Sequence, residues 1–355
     1  MESIARLLKE LPPDYEQRAF EQGAITRLRG ISSAADLMML AMFHLHNGCS
    51  LIEMSEIARL SKLGEMSDVA FMKRFEKCAD WFKAINTSLV SNGFISYEKP
   101  AWMEGKDVIG LDASDVSEKG RSGRIYRLHF ALDIFNMKSI EHKITTNKTG
   151  ETLTNFNPRE GQLIIADRIY GSIKSIEHCE RNNAEYILRL KKNAFTVRTK
   201  GGDVIDLASH LCALSENEYL DLSGFAKSSS GEMIPVRICA KKKDADSIEK
   251  TKQRIRRKES RNQYTVSDET KTFNEYIVVV TNVDGAASSE EILQAYRYRW
   301  QIEIYFKRLK SILDFGQLPK RREESVIAWL NGKLMIALLI EIIVAKASFS
   351  PIQNS

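Results

Sequence analysis

Three short segments of this chain hold the residue types that could do chemistry. VIGLDASD (108–115) and LIIAD (163–167) are each an apolar, β-type run ending in an acid, Asp112 and Asp167. A carboxylate at the end of a buried strand is held rigidly at the edge of a sheet. Metal ligands need that rigidity, because each must sit close to its ideal position. Either segment alone equally suits an aspartate that caps the next turn or helix. The third segment is AYRYRWQIEIYFKRLK (295–310). At about 100° per residue, Tyr296, Arg299, Glu303 and Lys310 fall within one narrow wedge of a helix. Ile302, Tyr305, Leu309 and Ile312 fall opposite, where they would pack on a sheet. The wedge is about 21 Å long at ~1.5 Å per residue, enough to follow a DNA strand for several nucleotides. It places one carboxylate among cations and an aromatic ring, as a metal-bound phosphate requires. An ordinary solvated face with an Arg299–Glu303 ion pair fits the same spacing.

The elements that must position these residues follow from periodicity. Residues 1–98 read as helical, with apolar spacing over 33–46, 50–60 and 67–82 and a turn at Gly64. Two short helices joined by that turn suit a helix-turn-helix with Lys73, Arg74 and Lys77 on its second helix, a possible DNA-end-binding unit. A small helical bundle with solvated lysines is the plainer alternative. From Asp107 the period becomes strand-like: 108–111, 126–134, 138–146 and 163–166 are strands, 172–182 a helix and 185–190 a strand. Residues 192–273 read as a mostly β insertion, 276–281 (YIVVVT) as a strand, and 288–313 and 323–346 as helices. The fold class is therefore α/β, a mixed sheet flanked by helices with a β insertion and a helical N-terminal domain. The expected divisions are 1–98, a catalytic domain at 99–347 and a polar tail at 348–355.

With 355 residues and 43% hydrophobic content, the chain can build a sizeable core, and its net charge of +5 permits a nucleic-acid partner without requiring one. Residues 241–261 concentrate ten basic side chains, Arg256 and Arg257 among them, against four acids, a local net of +6. That run reads as a solvated loop or as one that binds phosphates. Five scattered cysteines form no Cys-x-x-Cys pair, and the His178–Cys179 dyad is isolated, which excludes a zinc framework and fits a reducing cytoplasm. The first residues, with early acids and no long apolar core, are not expected to act as a secretory signal. The most apolar stretch, 334–345, is interrupted by Glu341 and reads as a buried helix, so no membrane is expected.

The Tyr-x2-Arg-x3-Glu-x6-Lys pattern of Tyr296, Arg299, Glu303 and Lys310 resembles the signature of bacterial DDE transposases of the insertion sequence 4 family. WQIEIYFKRLKS and AWLNGKL are similar to its flanks. LDAS and ADRIYG resemble its first and second aspartate segments, and the likeness spans roughly 105–340. The resemblance implies a ribonuclease-H-like core with a β-rich insertion between Asp167 and Glu303, which are 136 positions apart. It implies catalytic and metal-holding roles for Asp112, Asp167 and Glu303, and phosphate contacts for Tyr296, Arg299 and Lys310. Arg189, Lys191, Arg256 and Arg257 are further candidates for DNA contact.

On that reading two Mg²⁺ ions (or Mn²⁺) about 4 Å apart serve phosphodiester attack, with Asp112 bridging them. Water frees a 3′-hydroxyl, which then attacks the opposite strand and finally target DNA. The partners are the element's terminal inverted repeats, target DNA and a second copy of the chain. Two departures from the family stand out. None of Trp81, Trp102, Trp300 and Trp329 lies in the insertion, so Tyr276, Tyr264 or another aromatic must stack a flipped base; and only 45 residues follow Lys310, short for pairing. The rivals are a truncated, non-catalytic transposase acting as a repressor, and a structure-specific endonuclease of the same fold.

Overall fold

A computed structural model describes residues 2–90, 98–118, 125–136, 138–285, 287–312, 317–318 and 322–349. Six helices come first: α1 (Glu2–Leu8), α2 (Tyr15–Glu21), α3 (Ala34–Asn47), α4 (Leu51–Leu60), α5 (Asp68–Lys77) and α6 (Ala79–Val90). Ser33, Ser50 and Ser67 cap α3, α4 and α5, each accepting a backbone N–H of the first turn. Then come β1 (Asp107–Glu118), β2 (Ile125–Asp133), β3 (Lys138–Thr146), β4 (Gln162–Ala166), α7 (Ile173–Arg181) and β5 (Glu185–Arg189). They are followed by β6 (Val197–Arg198), α8 (Leu207–Cys212), β7 (Tyr219–Lys227), β8 (Met233–Lys242), α9 (Ala245–Asn262) and α10 (Asp268–Phe273). The described chain closes with β9 (Tyr276–Thr281), α11 (Ser289–Arg297), α12 (Trp300–Ile312), β10 (Gln317–Leu318) and α13 (Glu323–Phe349).

The ten strands of the described residues form one mixed sheet, ordered β3-β2-β1-β4-β5-β9-β8-β7-β6, with β10 alongside β1. β1, β4 and β5 run parallel, while β2, β3 and β9 are antiparallel to their neighbours. This mixed sheet with helices on its faces is the architecture expected of a ribonuclease-H-like core. Residues 192–273 add β6, β7 and β8 to the far side of the same sheet, together with α8, α9 and α10.

Strand parity sorts the core. Ile109, Leu111, Ile164, Ala166 and Leu188 point to the face that packs α7. Val108, Leu163, Ile165 and Ile187 point to the other, where they meet Ile292, Leu293 and Ala295 of α11. Farther along that second face Val116, Leu128 and Phe130 pack Ile302, Tyr305 and Phe306 of α12, Trp329 and Leu334 of α13, and the N-terminal helices through Leu37, Trp81 and Phe82. At Gly110 the tight neighbour is Ile134, beyond β2: a Cβ there would lie 3.1 Å from Ile134 Cδ1 and 3.2 Å from its Cγ1, while the Cβ of Ile302 on α12 would be at an ordinary 3.6 Å. α13 is long and apolar enough to cross a bilayer, but most of it is buried against α6, α5 and α3.

Two segments differ from their sequence reading. Residues 241–261 are the end of β8, a two-residue link and then α9, capped by Asp244 and half-buried along Ile248, Thr251 and Ile255. Charge alone read as a loop, yet Lys, Arg, Glu and Gln are good helix formers. The single helix expected over 288–313 is two. At the joint Tyr298, Arg299, Gln301 and Ile302 donate to the carbonyls three residues back, at 2.9–3.2 Å, a tight 3₁₀-type turn. α11 covers β5, β7 and β8 while α12 covers β1, so the chain must turn between them. The straight 21 Å stripe estimated from spacing is thus divided at Arg299. The tail residues 350–355 lie outside the described set, and α13 takes in Ser348 and Phe349.

Candidate active site

Parallel pairing of β1 with β4 brings the two aspartates together. The register runs from Asp107↔Gln162 to Leu111↔Ala166, so Asp112 and Asp167 come next on adjacent strands. By parity both face the side covered by α11 and α12. Asp112 is not at a strand end as its segment had implied: β1 continues to Glu118 as a ribbon with β2. It lies instead where β4 stops, which leaves its carboxylate at an opening between strands.

α11, the tight turn and α12 then bring in the rest. The Tyr296 hydroxyl donates to Asp167 Oδ1 (3.4 Å), which also accepts the Arg168 backbone N–H (2.6 Å). Arg299 Nη1 donates to Glu303 Oε1 at 2.6 Å, and the guanidinium lies 5.6 Å from the Tyr296 ring centroid. The Ala113 N–H donates to Asp112 Oδ1 at 2.8 Å. Burial pushes the Asp112 carboxyl up to about 6. The Ala113 N–H and Arg299 oppose that shift, and the charges of Glu303 and Asp167 add to it. Tyr170, fully buried in the same region, has its hydroxyl pushed up by burial first and then by Asp112 and Glu151.

An acid that resists ionisation beside two other acids is stabilised in its charged form by a cation. Carboxylate oxygens alone suit a hard divalent ion such as Mg²⁺ or Mn²⁺. The donor set therefore fits such ions. Among the described residues no three acids are gathered at metal-holding range, and Glu303 is paired with Arg299. The Arg299 side chain is 13% exposed and its Nε is buried with no hydrogen-bond partner, so its guanidinium is only partly satisfied by Glu303.

The other sequence candidates fall at different places. Arg189, at the end of β5, lies against Tyr296 and so joins the acidic site. Lys191 is exposed just beyond it, and Arg256 and Arg257 are exposed on α9. Lys310 lies on α12, but its side chain is outside the described residues. In the α4–α5 pair, Arg74 is already used, donating to the carbonyls of Arg27 and Arg29, whereas Lys73 and Lys77 are exposed. His178 bonds the Phe156 carbonyl (2.9 Å) and Cys179 is buried, so that dyad is structural. Of the aromatics named for stacking, Tyr276 is buried at 4% exposure and cannot serve, while Tyr264 is 41% exposed. Trp300 is 60% exposed and immediately follows Arg299. It lies outside the insertion, within AYRYRWQIEIYFKRLK, so position relative to the insertion gives no reason to choose it. Arg168, one residue after Asp167, was likewise visible in ADRIYG but not singled out.

Comparison with known proteins agrees with this geometry. Residues 106–339 match the family described as Transposase DDE domain. The chain is 28% identical over 342 residues to a putative transposase, InsL, for insertion sequence element IS186A of Escherichia coli K12, covering 94% of this chain and 91% of that protein. It is 28% identical over 343 residues to the transposase for IS421 of Escherichia coli, with the same coverage. It is 27% identical over 197 residues to the transposase for IS231F of Bacillus thuringiensis subsp. israelensis, covering 51% of this chain and 41% of that protein. The first two likenesses take in the N-terminal helices as well, where the family signature by itself had given little.

Proposed function

The chain belongs to the family of transposases with a DDE domain, and we propose that it cuts an insertion element at its terminal inverted repeats and joins the ends to target DNA. The observation that carries this reading is the register that sets Asp112 beside Asp167 on the face where α12 presents Glu303. Asp112, Asp167 and Glu303 would hold two divalent ions. Bound there, such ions supply activation of the attacking oxygen and stabilisation of the leaving one.

The protein's own groups do the rest. Tyr296 and the Arg168 N–H fix the orientation of Asp167. Arg299, with an unsatisfied Nε, exchanges Glu303 for a phosphate oxygen of the DNA, and that exchange frees Glu303 to turn toward the two aspartates. The 3₁₀ turn at Arg299 is where such a rearrangement is least costly. Arg189 and Lys191 lie along the path of the strand, and Trp300 offers a face on which an unpaired base stacks. The exposed lysines of α5 supply contacts to the element end, two copies of the chain act together on paired ends, and the work is done in the cytoplasm on nucleoid DNA.

The test is incubation with Mg²⁺ and labelled DNA that carries the repeats flanking the coding region, beside the same duplex with the repeats scrambled. Nicks confined to the repeat ends are expected. Nicks on both duplexes would mark a structure-specific nuclease, and binding without nicks would mark a repressor.

A further inference from the structure

Four cations converge beside Asp167: Arg168, Arg189, Lys243 and Arg254. Arg168 Nη1 donates to Asn274 Oδ1 at 2.8 Å, and the Lys243 ammonium donates to the Asn274 carbonyl and, at 3.3 Å, to Thr251 Oγ1. Asn274 thus ties Arg168 to Lys243, and Thr251 ties Lys243 to α9. Burial, with the charges of Arg189, Arg168 and Arg254, pushes the Lys243 ammonium down to about 8. The nearby acids are already engaged: Glu275 with Lys252 (3.0 Å), Glu259 with Lys271 (3.5 Å) and Glu269 with Lys192. Among the described residues no salt bridge reaches any of the four. Like charges held this close repel one another, and the arrangement becomes favourable when an anion sits among them.

α9 continues the pattern. It has 18 residues and buries none, and it packs only lightly on the rest of the chain. Its half-buried positions, Ile248, Thr251, Ile255 and Glu259, share one side. Lys250, Arg254, Arg257 and Arg261 fall within about 60° of each other on another at ~100° per residue, and all four are exposed. From Lys250 to Arg261 the rise is about 17 Å, or about five steps of ~3.4 Å along one DNA strand. The core does not explain a helix with this composition and so little packing.

We propose that Arg168, Arg189, Lys243 and Arg254 form a cradle for a backbone phosphate of DNA beside the acidic site, and that Lys250, Arg257 and Arg261 extend it along the same strand. Such interactions position the strand and carry no sequence information. The inference rests on the DNA-processing function proposed above. It separates from that function in its test, because binding is read without catalysis.

The test is a salt titration of binding, in EDTA, to a labelled duplex taken from the DNA flanking the coding region, and to its scrambled counterpart. Every phosphate that a variant no longer neutralises takes about 0.9 off the slope of log K against log salt. Arg254→Gln is expected to flatten the slope by about one such step, and Arg254→Gln/Arg257→Gln/Arg261→Gln by about three, equally on both duplexes. Lys200→Gln, the same charge change in the hairpin beyond β6, should leave the slope in place. Because α9 is exposed and lightly packed, circular dichroism of the variants should match wild type. Unchanged slopes in a wild type that binds would overturn the cradle and leave the family function standing. A wild type that binds neither duplex would overturn both.

Discussion

Gly171→Ala should damage the site through the backbone alone. Gly171 ends the turn that follows Asp167, in which Tyr170 N donates to the Asp167 carbonyl at 2.9 Å. A Cβ on Gly171 would lie 2.0 Å from the carbonyl oxygen of Arg189 and 3.0 Å from its carbon, where ordinary contact begins at 3.4 Å. The two backbones must therefore separate by about 1.4 Å. If the turn retreats, it carries Asp167 with it. If β5 retreats, Arg189 moves and the Leu190 N–H loses its 2.9 Å bond to the Val278 carbonyl. Overpacking of this kind costs about 1–3 kcal/mol, and a misplacement near 1 Å costs on the order of 10²-fold in rate. Urea denaturation reads the first quantity, and nicking of repeat-end DNA by folded protein reads the second. Gly150→Ala is the control: nothing lies within 4 Å of its Cβ, so a change within about 0.5 kcal/mol is expected. Should Gly171→Ala lose less than that and nick at the wild-type rate, the close approach of the two backbones does not hold Asp167 in place.

Three other perturbations probe groups around the site and in the core. Asp112→Asn removes a carboxyl whose ionisation is held back by burial, so in EDTA at pH 8 it should melt above wild type. Wild type alone should then gain stability from Mg²⁺, about 2.7 kcal/mol at a hundred times Kd; equal gains in both proteins would remove Asp112 from the metal site. His129 and His142 are pushed down to about 4, in each case by burial first. A histidine with a depressed folded value contributes stability above its unfolded value near 6.5 and loses it as pH falls toward 4. Asp112, raised to about 6, opposes part of this loss over the same window. The urea midpoint should fall between pH 7 and pH 5, and by less in His142→Leu; an equal fall in both would mean that His142 does not carry it. Trp300→Ala should weaken binding of single-stranded ends by about 1–3 kcal/mol and leave the melting temperature unchanged, because the ring is 60% exposed; unaltered binding would pass the stacking role to Tyr264.

Much of the site was legible because its parts are local. VIGLDASD and LIIAD announce themselves as strands with an acid beyond the apolar run, and parallel pairing needs only that both be buried. What the strings cannot carry is where β1 ends: Ala113 to Glu118 continue because β2 pairs with them, a tertiary fact. The division of the 288–313 helix is equally silent, since 298–302 contains neither Gly nor Pro and both halves keep helical spacing. Only the need to cover first β5 and β8, then β1, forces the turn. The run 241–261 reads as a loop on its charge alone, whereas the helix propensity of its Lys, Arg, Glu and Gln residues favours α9. The cradle at Lys243 lay beyond sequence reasoning, because Arg168, Arg189 and Arg254 meet it only through the fold.

Glu303→Gln asks whether Asp112, Asp167 and Glu303 act as one metal-dependent site for phosphoryl transfer. The substitution keeps the side chain's size and a hydrogen-bond acceptor for Arg299, so the fold should persist. With Mg²⁺ and repeat-end DNA, wild type is expected to nick at the ends, while Glu303→Gln binds the same DNA and nicks at least 10²-fold more slowly. Nicking by Glu303→Gln at the wild-type rate would take the third carboxylate out of the reaction and leave the two aspartates without their proposed partner.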